Sequence, residues 1–352
     1  MHDLTTGSIT RHLLKTASFM LVTMVFQTLY FLVDLYWVGR LGKEAIAGVG
    51  IAGNLTFIVL AISQMLGVGT TTLVSHAAGR KDHARALLVF NQSQSLSVLV
   101  GIVVLAVALL LRDSYTPALG ADPQTARLAG EYLTWFIPAM ALQFAMVAMG
   151  AALRGTGNFK PGTIVATATV ILNMMLAPIL IFGWGTGVPL GVAGAAISSL
   201  VAVAVGVIWL ATYFIKPSAY LHFIPSQWVP QFPLWSQMLK IGLPAGAEFG
   251  LMAVYMVVVY SISRPFGAAA QAGFGIGLRV VQAGFMPVVA LGFSVAPVAG
   301  QNFGARLADR VKKTYFIGVS MAAGLMAIWA VACHFGAGAM VRFFSDGAQV
   351  IA

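Results

Sequence analysis

MLGVGTTTLVSHAAGRKDHAR, residues 65–85, returns in altered form as ALGFSVAPVAGQNFGARLADR, residues 290–310. The offset is 225 residues and needs no gap. Gly67 falls on Gly292, Gly79 on Gly304 and Arg85 on Arg310. The same offset lays RLGKEAIAGVGIAG (40–53) over PFGAAAQAGFGIGL (265–278), pairing Gly42 with Gly267, Ala47 with Ala272, Gly48 with Gly273 and Gly50 with Gly275. Upstream, Leu14-Lys15 falls on Leu239-Lys240. Apolar residues coincide easily by chance. Glycines and a basic cluster falling together at one offset do not, so the chain carries an internal duplication.

The duplicated material is apolar. Of 352 residues, 59% are hydrophobic and 9% charged, and the mean hydropathy is +0.89. Soluble domains carry roughly 25% charged residues, so this chain cannot be covered in water and is an integral membrane protein. Its apolar runs suit spanning helices of about 20 residues rather than the roughly 10-residue strands of a membrane barrel. With one cysteine, Cys333, it has no internal disulfide and no cysteine-based metal site, and its six histidines lie at no metal-ligand spacing. The net charge of +10 is read as basic loops at a membrane face, not as a nucleic-acid surface.

Nine spans are expected, near 13–38, 46–75, 88–111, 128–152, 162–183, 191–215, 236–263, 268–298 and 314–338. Residues 112–125 read as a loop, and the proline-bearing stretch 217–235 as a linker between halves. With the N-terminus inside, thirteen bases face the cytoplasm, among them Lys15, Arg80, Lys81, Arg154, Lys240 and Arg306, against six outside, Arg264 among them. Asp346 counts among the outer acids. The bias sets the N-terminus in the cytoplasm. The organisation expected is all-α, with two parallel six-helix repeats: 1–216 an N-terminal lobe, 217–235 a cytoplasmic linker, and 236–352 a partial C-terminal lobe. A complete second repeat would run about three helices further, so a twelve-helix parent is expected, with about nine helices present here.

Four stretches resemble the multidrug and toxic compound extrusion (MATE) family of prokaryotic efflux transporters: VDLYWVGRLG (33–42), GVGTTTLVSHAAGRKDHARA (67–86), ALRGTGNFKPG (152–162) and ILNMMLAPILIFGWGTGVPLGVAGAAIS (171–198). The resemblance implies a proton- or sodium-coupled antiporter. It would export amphipathic, often cationic compounds from a bacterial inner membrane, as two six-helix lobes around a central cavity. It implies no cofactor beyond the coupling ion. The expected partners are small organic cations and the lipid bilayer, and the expected state is a monomer. One departure stands out. Many members carry an acid four residues after the helix-five asparagine; here that asparagine is Asn173 and the fourth position is Ala177. Asp34 would therefore work with neutral partners such as Asn173.

Asp34 and Glu248 are the two acids expected inside spans. A charge at a helix centre costs about 2.5–3.5 kcal/mol on insertion scales, so some gain must offset it. Asp34 lies 19 residues past Lys15, roughly 28 Å along the helix at 1.5 Å per residue. Either it braces packing or reaches outer water, or it is a titrating carboxylate facing a wet cavity. Glu248 is either a second ion or substrate group, or an acid favoured by the start of its helix. Arg279, at a depth close to that of Asp34, either pairs with it or reaches the outer headgroups. Gln27 and Tyr30 join the candidate lining, one polar and one aromatic. Asn91, Gln92 and Gln94 could line a cavity or bond neighbouring helices. A flippase for lipid-linked precursors is the alternative reading. An enzyme is not expected, because no cluster of catalytic groups is present.

Overall fold

The computed structural model describes residues 2–119, 122–185, 187–263 and 267–344. Among them are nine α-helices and no strand: α1 (Ile9–Gly39), α2 (Lys43–Gly79), α3 (His83–Leu119), α4 (Pro123–Gly155), α5 (Lys160–Phe182), α6 (Gly191–Thr212), α7 (Phe232–Ser263), α8 (Gly267–Gly304) and α9 (Ala308–Phe344). Eight are long and apolar enough to cross a membrane. Helices of 37 residues, as in α2, α3 and α9, reach about 55 Å, well beyond a hydrocarbon core of about 30 Å. Their ends therefore stand outside the apolar layer. Arg264 and Asp346, two of the charged groups expected at the outer face, lie outside the described residues.

Two expected boundaries change. Much of 112–125 is helical: α3 continues to Leu119 with Pro117 inside it, and α4 begins at Pro123. Arg112 holds this extension to α4, donating to Thr134 Oγ1 at 2.7 Å. Asp122 caps α4, accepting from Thr125 N at 2.9 Å and Thr125 Oγ1 at 2.7 Å. These bonds, the backbone one first, hold its carboxyl below the usual carboxylate range. Such a cap contributes above the unfolded-state pKa and is lost as pH falls through the folded value. The second change is at α7, which starts at Phe232, inside the stretch read as linker.

The repeated sequence folds into the same turn twice. After α2, the backbone N–H groups of Arg80, Lys81 and Asp82 donate to the carbonyls of His76, Ala78 and Ala77. After α8, Ala305, Arg306 and Leu307 donate to Gln301, Phe303 and Asn302. Every donor and acceptor is shifted by 225. Both turns close as Schellman-type caps on a residue in the left-handed region, Lys81 and Arg306, each with φ 59°. Glycine usually fills that position because a Cβ is crowded there.

Close packing between the halves follows the same offset. A Cβ on Gly79 would strike the backbone carbonyl of Gln301, and a Cβ on Gly304 would strike that of His76. Gln301 is the repeat mate of His76, so the contact is reciprocal, as a two-fold interface requires. Ser75 meets its own mate, Gly300, so the pseudo-two-fold axis passes there. Flanking this point, α2 packs on α7 and α1 on α8, again repeat-related pairs. Gly242 sits against the Met65 carbonyl and Gly69 against that of Met238. The halves are thus sealed at the end that carries residue 2 and the turns at 80–82 and 305–307, called here the basic end.

Two chain segments are tied down at that end. The N-terminal strap bridges the halves: His2 N donates to Thr156 O (2.9 Å), Leu4 N to Gln301 Oε1 (2.9 Å), and Asn302 Nδ2 to Leu4 O (3.2 Å). The segment between α6 and α7, with its 3₁₀ turn Pro225–Trp228, is clamped onto α3. Asn91 Oδ1 accepts from Ile224 N and Trp228 Nε1, and its amide donates to His222 O. Gln92 Nε2 donates to Val229 O at 2.7 Å, and Gln92 Oε1 accepts from Gln231 N at 2.9 Å. Asn91 and Gln92 therefore hold the linker rather than line a cavity.

Two outcomes follow for the purified protein. Asn91→Leu leaves the amide of Ile224 and the indole of Trp228 without their acceptor, costing about 2–3 kcal/mol. It is expected to lower the melting temperature and to speed proteolytic cleavage between 213 and 231. Lys81→Gly relieves a crowded left-handed residue and is expected to stabilise by roughly 0.5–1 kcal/mol, read as a higher melting temperature.

Candidate functional site

Asp34 lies five residues before the end of α1, on the half of the helix away from the basic end. It is half-buried, and its Oδ1 is shut from solvent with no hydrogen-bond partner. One turn earlier on the same face, Tyr30 extends its hydroxyl to Ser199 Oγ on α6 at 3.0 Å. Asn173, buried on α5, donates to Ser199 Oγ at 3.0 Å and to Ser198 Oγ at 3.3 Å. A hydrogen-bonded chain thus runs from α1 through α6 to α5, inside the first half of the chain. Tyr132 of α4, also buried, lies within electrostatic range of Asp34 and Tyr30.

Helical spacing makes this local geometry. Residues 27, 30 and 34 stand on one stripe of α1, and Asn173 and Ala177 share a stripe of α5. Ala177, where the resemblance leads one to expect an acid, is buried. Aromatic rings stand over the far side: Trp37, three residues past Asp34, meets Phe182 at 5.9 Å and Trp184 at 5.6 Å. Proton or cation exchange at an otherwise apolar site is the chemistry such an arrangement can do: one ionisable oxygen pair, neutral hydroxyl and amide neighbours, and an aromatic cover.

The other candidates stand apart from this chain of bonds. Gln27 is exposed, two turns toward the basic end. Glu248 is exposed on α7 and has neither ion pair nor hydrogen bond among the described residues. Arg279 is exposed on α8 and makes no ion pair with Asp34; the ion pairs among the described residues are Lys43–Glu44, Arg112–Asp113 and Arg127–Glu131. Two surface concavities, one at the end of α6 and one between α3 and α4, do not reach Asp34. The larger, about 770 Å³, lies between α3 and α4 around Arg112 and Glu131.

Ser198, Ser199, Tyr132 and Arg154 were not among the candidates. The adjacent serines in GAAISSL (194–200) were a readable signal, because two hydroxyls in an apolar span seek partners. Arg154, expected among the cytoplasmic bases, belongs to the last turn of α4. Its guanidinium runs back along the helix, with Nη1 3.5 Å from where a Cβ of Gly150 would sit and Nη2 3.7 Å from that of Gly67 on α2. Its Cζ lies 6.0 Å from the ring centre of Phe293 on α8.

Long apolar helices, a duplicated plan and two halves meeting about a pseudo-two-fold axis define a multi-pass membrane protein built like a secondary transporter. Comparison with known proteins makes this specific. The MatE family matches residues 20–179 and 244–352. "Probable multidrug resistance protein YoeA" of Bacillus subtilis is 26% identical over 306 residues, 85% of this chain and 66% of its own length. "Multidrug export protein MepA" of Staphylococcus aureus is 26% identical over 337 residues, 94% of this chain and 73% of its own. The solved "outward-facing conformation of a multidrug resistance MATE family transporter of the MOP superfamily" matches with a TM-score of 0.88 at 26% identity, over 99% of this chain and 77% of that one. The chain belongs to the MatE family of multidrug efflux transporters. It is a transporter-family protein and not an enzyme, and it spans from about two thirds to about three quarters of the length of these relatives.

The hydroxyl of Ser199 is the node of the polar chain. Ser199→Ala takes acceptors from both Asn173 and Tyr30 and is expected to cost about 1–2 kcal/mol, whereas Tyr30→Phe, which removes one bond, costs about 0.5–1 kcal/mol. Thermal unfolding in detergent checks the order; equal melting temperatures for Ser199→Ala and the parent would contradict it.

Proposed function

We propose that the protein exports amphipathic organic cations across a bacterial inner membrane, by antiport coupled to an ion at Asp34. The observation that carries the coupling role is a carboxylate with one solvent-shielded, unpartnered oxygen among neutral polar groups. Leaving a buried acceptor unsatisfied costs about 1–3 kcal/mol, and a proton or cation arriving there offsets that cost.

A proton is the ion this site favours. Sodium is held by several oxygen ligands at once. Here Ala177 contributes none, and the amide nitrogen of Asn173 is directed at Ser198 and Ser199. One carboxylate suffices for a proton.

The basic end faces the cytoplasm by the excess of positive loops there, which sets the N-terminus inside. The halves meet closely at that end, which is what an outward-facing state requires, and the cycle starts from that state. In this state Asp34 takes up a proton and cargo leaves. Rocking about the pseudo-two-fold axis opens the basic end, the proton leaves, and cargo binds. The flippase reading is not favoured, since the relatives matched carry names of multidrug proteins.

In cells expressing the protein, Asp34→Asn is expected to lower ethidium or norfloxacin efflux at least tenfold and to flatten its dependence on external pH, while added sodium has no effect on either protein. Undiminished efflux by Asp34→Asn removes the coupling role; efflux that follows sodium at fixed pH replaces the proton. Gly304→Val places a branched side chain against the His76 carbonyl and is expected to prop the basic end open. Faster thiol labelling of a cysteine at Ser75, in a Cys333→Ser background, is the reading.

A further inference from the structure

We infer that Arg154 and Phe293 form a second subsite, just inside the sealed end where the halves meet, that takes an anionic oxygen group such as a carboxylate or a phosphate. The inference rests on the export reading only in calling the occupant cargo.

The placement follows from the seal. Phe293 stands seven residues, two turns, before Gly300, where α8 meets Ser75. Gly67 stands eight residues before Ser75 on α2. Both therefore lie just inside the sealed end, and Arg154 reaches this level from α4. The guanidinium thus sits among α2, α4 and α8, with a glycine on each of the first two helices leaving it room. Arg154 and Phe293 are each half-buried rather than sealed into the core.

A guanidinium carries five N–H donors and no acceptor. Among the described residues, none of those on Arg154 has a hydrogen-bond acceptor, and no carboxylate pairs with it. The last carbonyls of α4 are engaged elsewhere: Ala152 O accepts from Thr156 N, Leu153 O from Asn158 N, Arg154 O from Gly157 N and Gly155 O from Gln301 Nε2. The guanidinium faces the Phe293 ring with its N–H donors unused, and the planar fork matches a carboxylate or phosphate with two parallel bonds. Phe293 adds a flat apolar wall beside the fork, which suits an aromatic ring attached to the anionic group. Compounds that satisfy both features carry an aromatic body and an acidic group, as zwitterionic drugs do, or are lipids with an anionic headgroup. Asp34, on the far half of the first lobe, would not serve this group, so a zwitterion can be held here without occupying the coupling carboxylate.

Binding to the purified full chain in detergent, followed by tryptophan fluorescence, tests this. Norfloxacin is compared with its methyl ester, and short-chain phosphatidylglycerol with the matching phosphatidylcholine. The wild type is expected to bind the acid about tenfold more tightly than the ester, the ratio that one charge-assisted pair supports. Arg154→Leu should bring that ratio near one and leave ethidium binding unchanged. A preference confined to the lipid pair, and abolished by Arg154→Leu, assigns the subsite to a headgroup phosphate and also supports it. Should Arg154→Leu not fold, Arg154→Lys is expected to keep a reduced preference, and the wild-type ratios decide on their own. Ratios near one in both pairs, or a preference that survives in Arg154→Leu, overturn the subsite. Ethidium efflux from cells is read separately, so a failure of export is not mistaken for a failure of this site.

Discussion

Two glycines, Gly79 and Gly304, let the halves of this protein touch. Each allows the backbone of one half to reach a carbonyl of the other, and each is the repeat image of its counterpart. Lipid tails are as apolar as leucine side chains, so helix association in a membrane relies on close approach rather than hydrophobic burial. The seal at the basic end is built from that approach. The strap of residues 2–8 and the clamp on Asn91 and Gln92 then fix the neighbouring chain ends to the same surface.

Duplication gives the proposed rocking motion its geometry. An isologous contact has equivalent partners on both sides of its axis, so rocking about the axis changes both sides together. The two Schellman-type turns, identical in bonds and in φ, place the ends of α2 and α8 in equivalent positions. Function breaks the symmetry. Asp34 falls on Val259 at the offset of 225, and Glu248 on Thr23. The acid with an orphaned oxygen therefore belongs to the first half alone, and the proposed ion site is set by side chains, not by the repeated backbone.

Much of the fold was legible in the sequence. Composition gave the membrane, and the 225-residue offset gave the duplication, because glycine positions record backbone approach directly. Helix ends were less legible: residues 112–119 look like a loop by polarity, yet they continue α3 because Arg112 finds Thr134 on the next helix. The site was legible in part. Asp34 stands out through its cost, and Asn173 through the resemblance, but Ser199 ties Asn173 to Tyr30 only when α6 is laid against α1 and α5. Asn91 and Gln92 show the limit best. Their polarity inside a span was visible, while their partner, a linker more than 130 residues away, was not. Arg154 looked like one more loop base until the direction of its side chain, back along α4, was known.

In the proposed cycle the charge state of Asp34 governs whether the basic end stays sealed. Spin labels at Arg80→Cys and Arg306→Cys, in a Cys333→Ser background, report the separation of the two repeat-related turns by double electron–electron resonance. The account predicts a distance distribution that shifts between acid and neutral pH in the parent and stays fixed in Asp34→Asn. A shift of the same size in Asp34→Asn would contradict it.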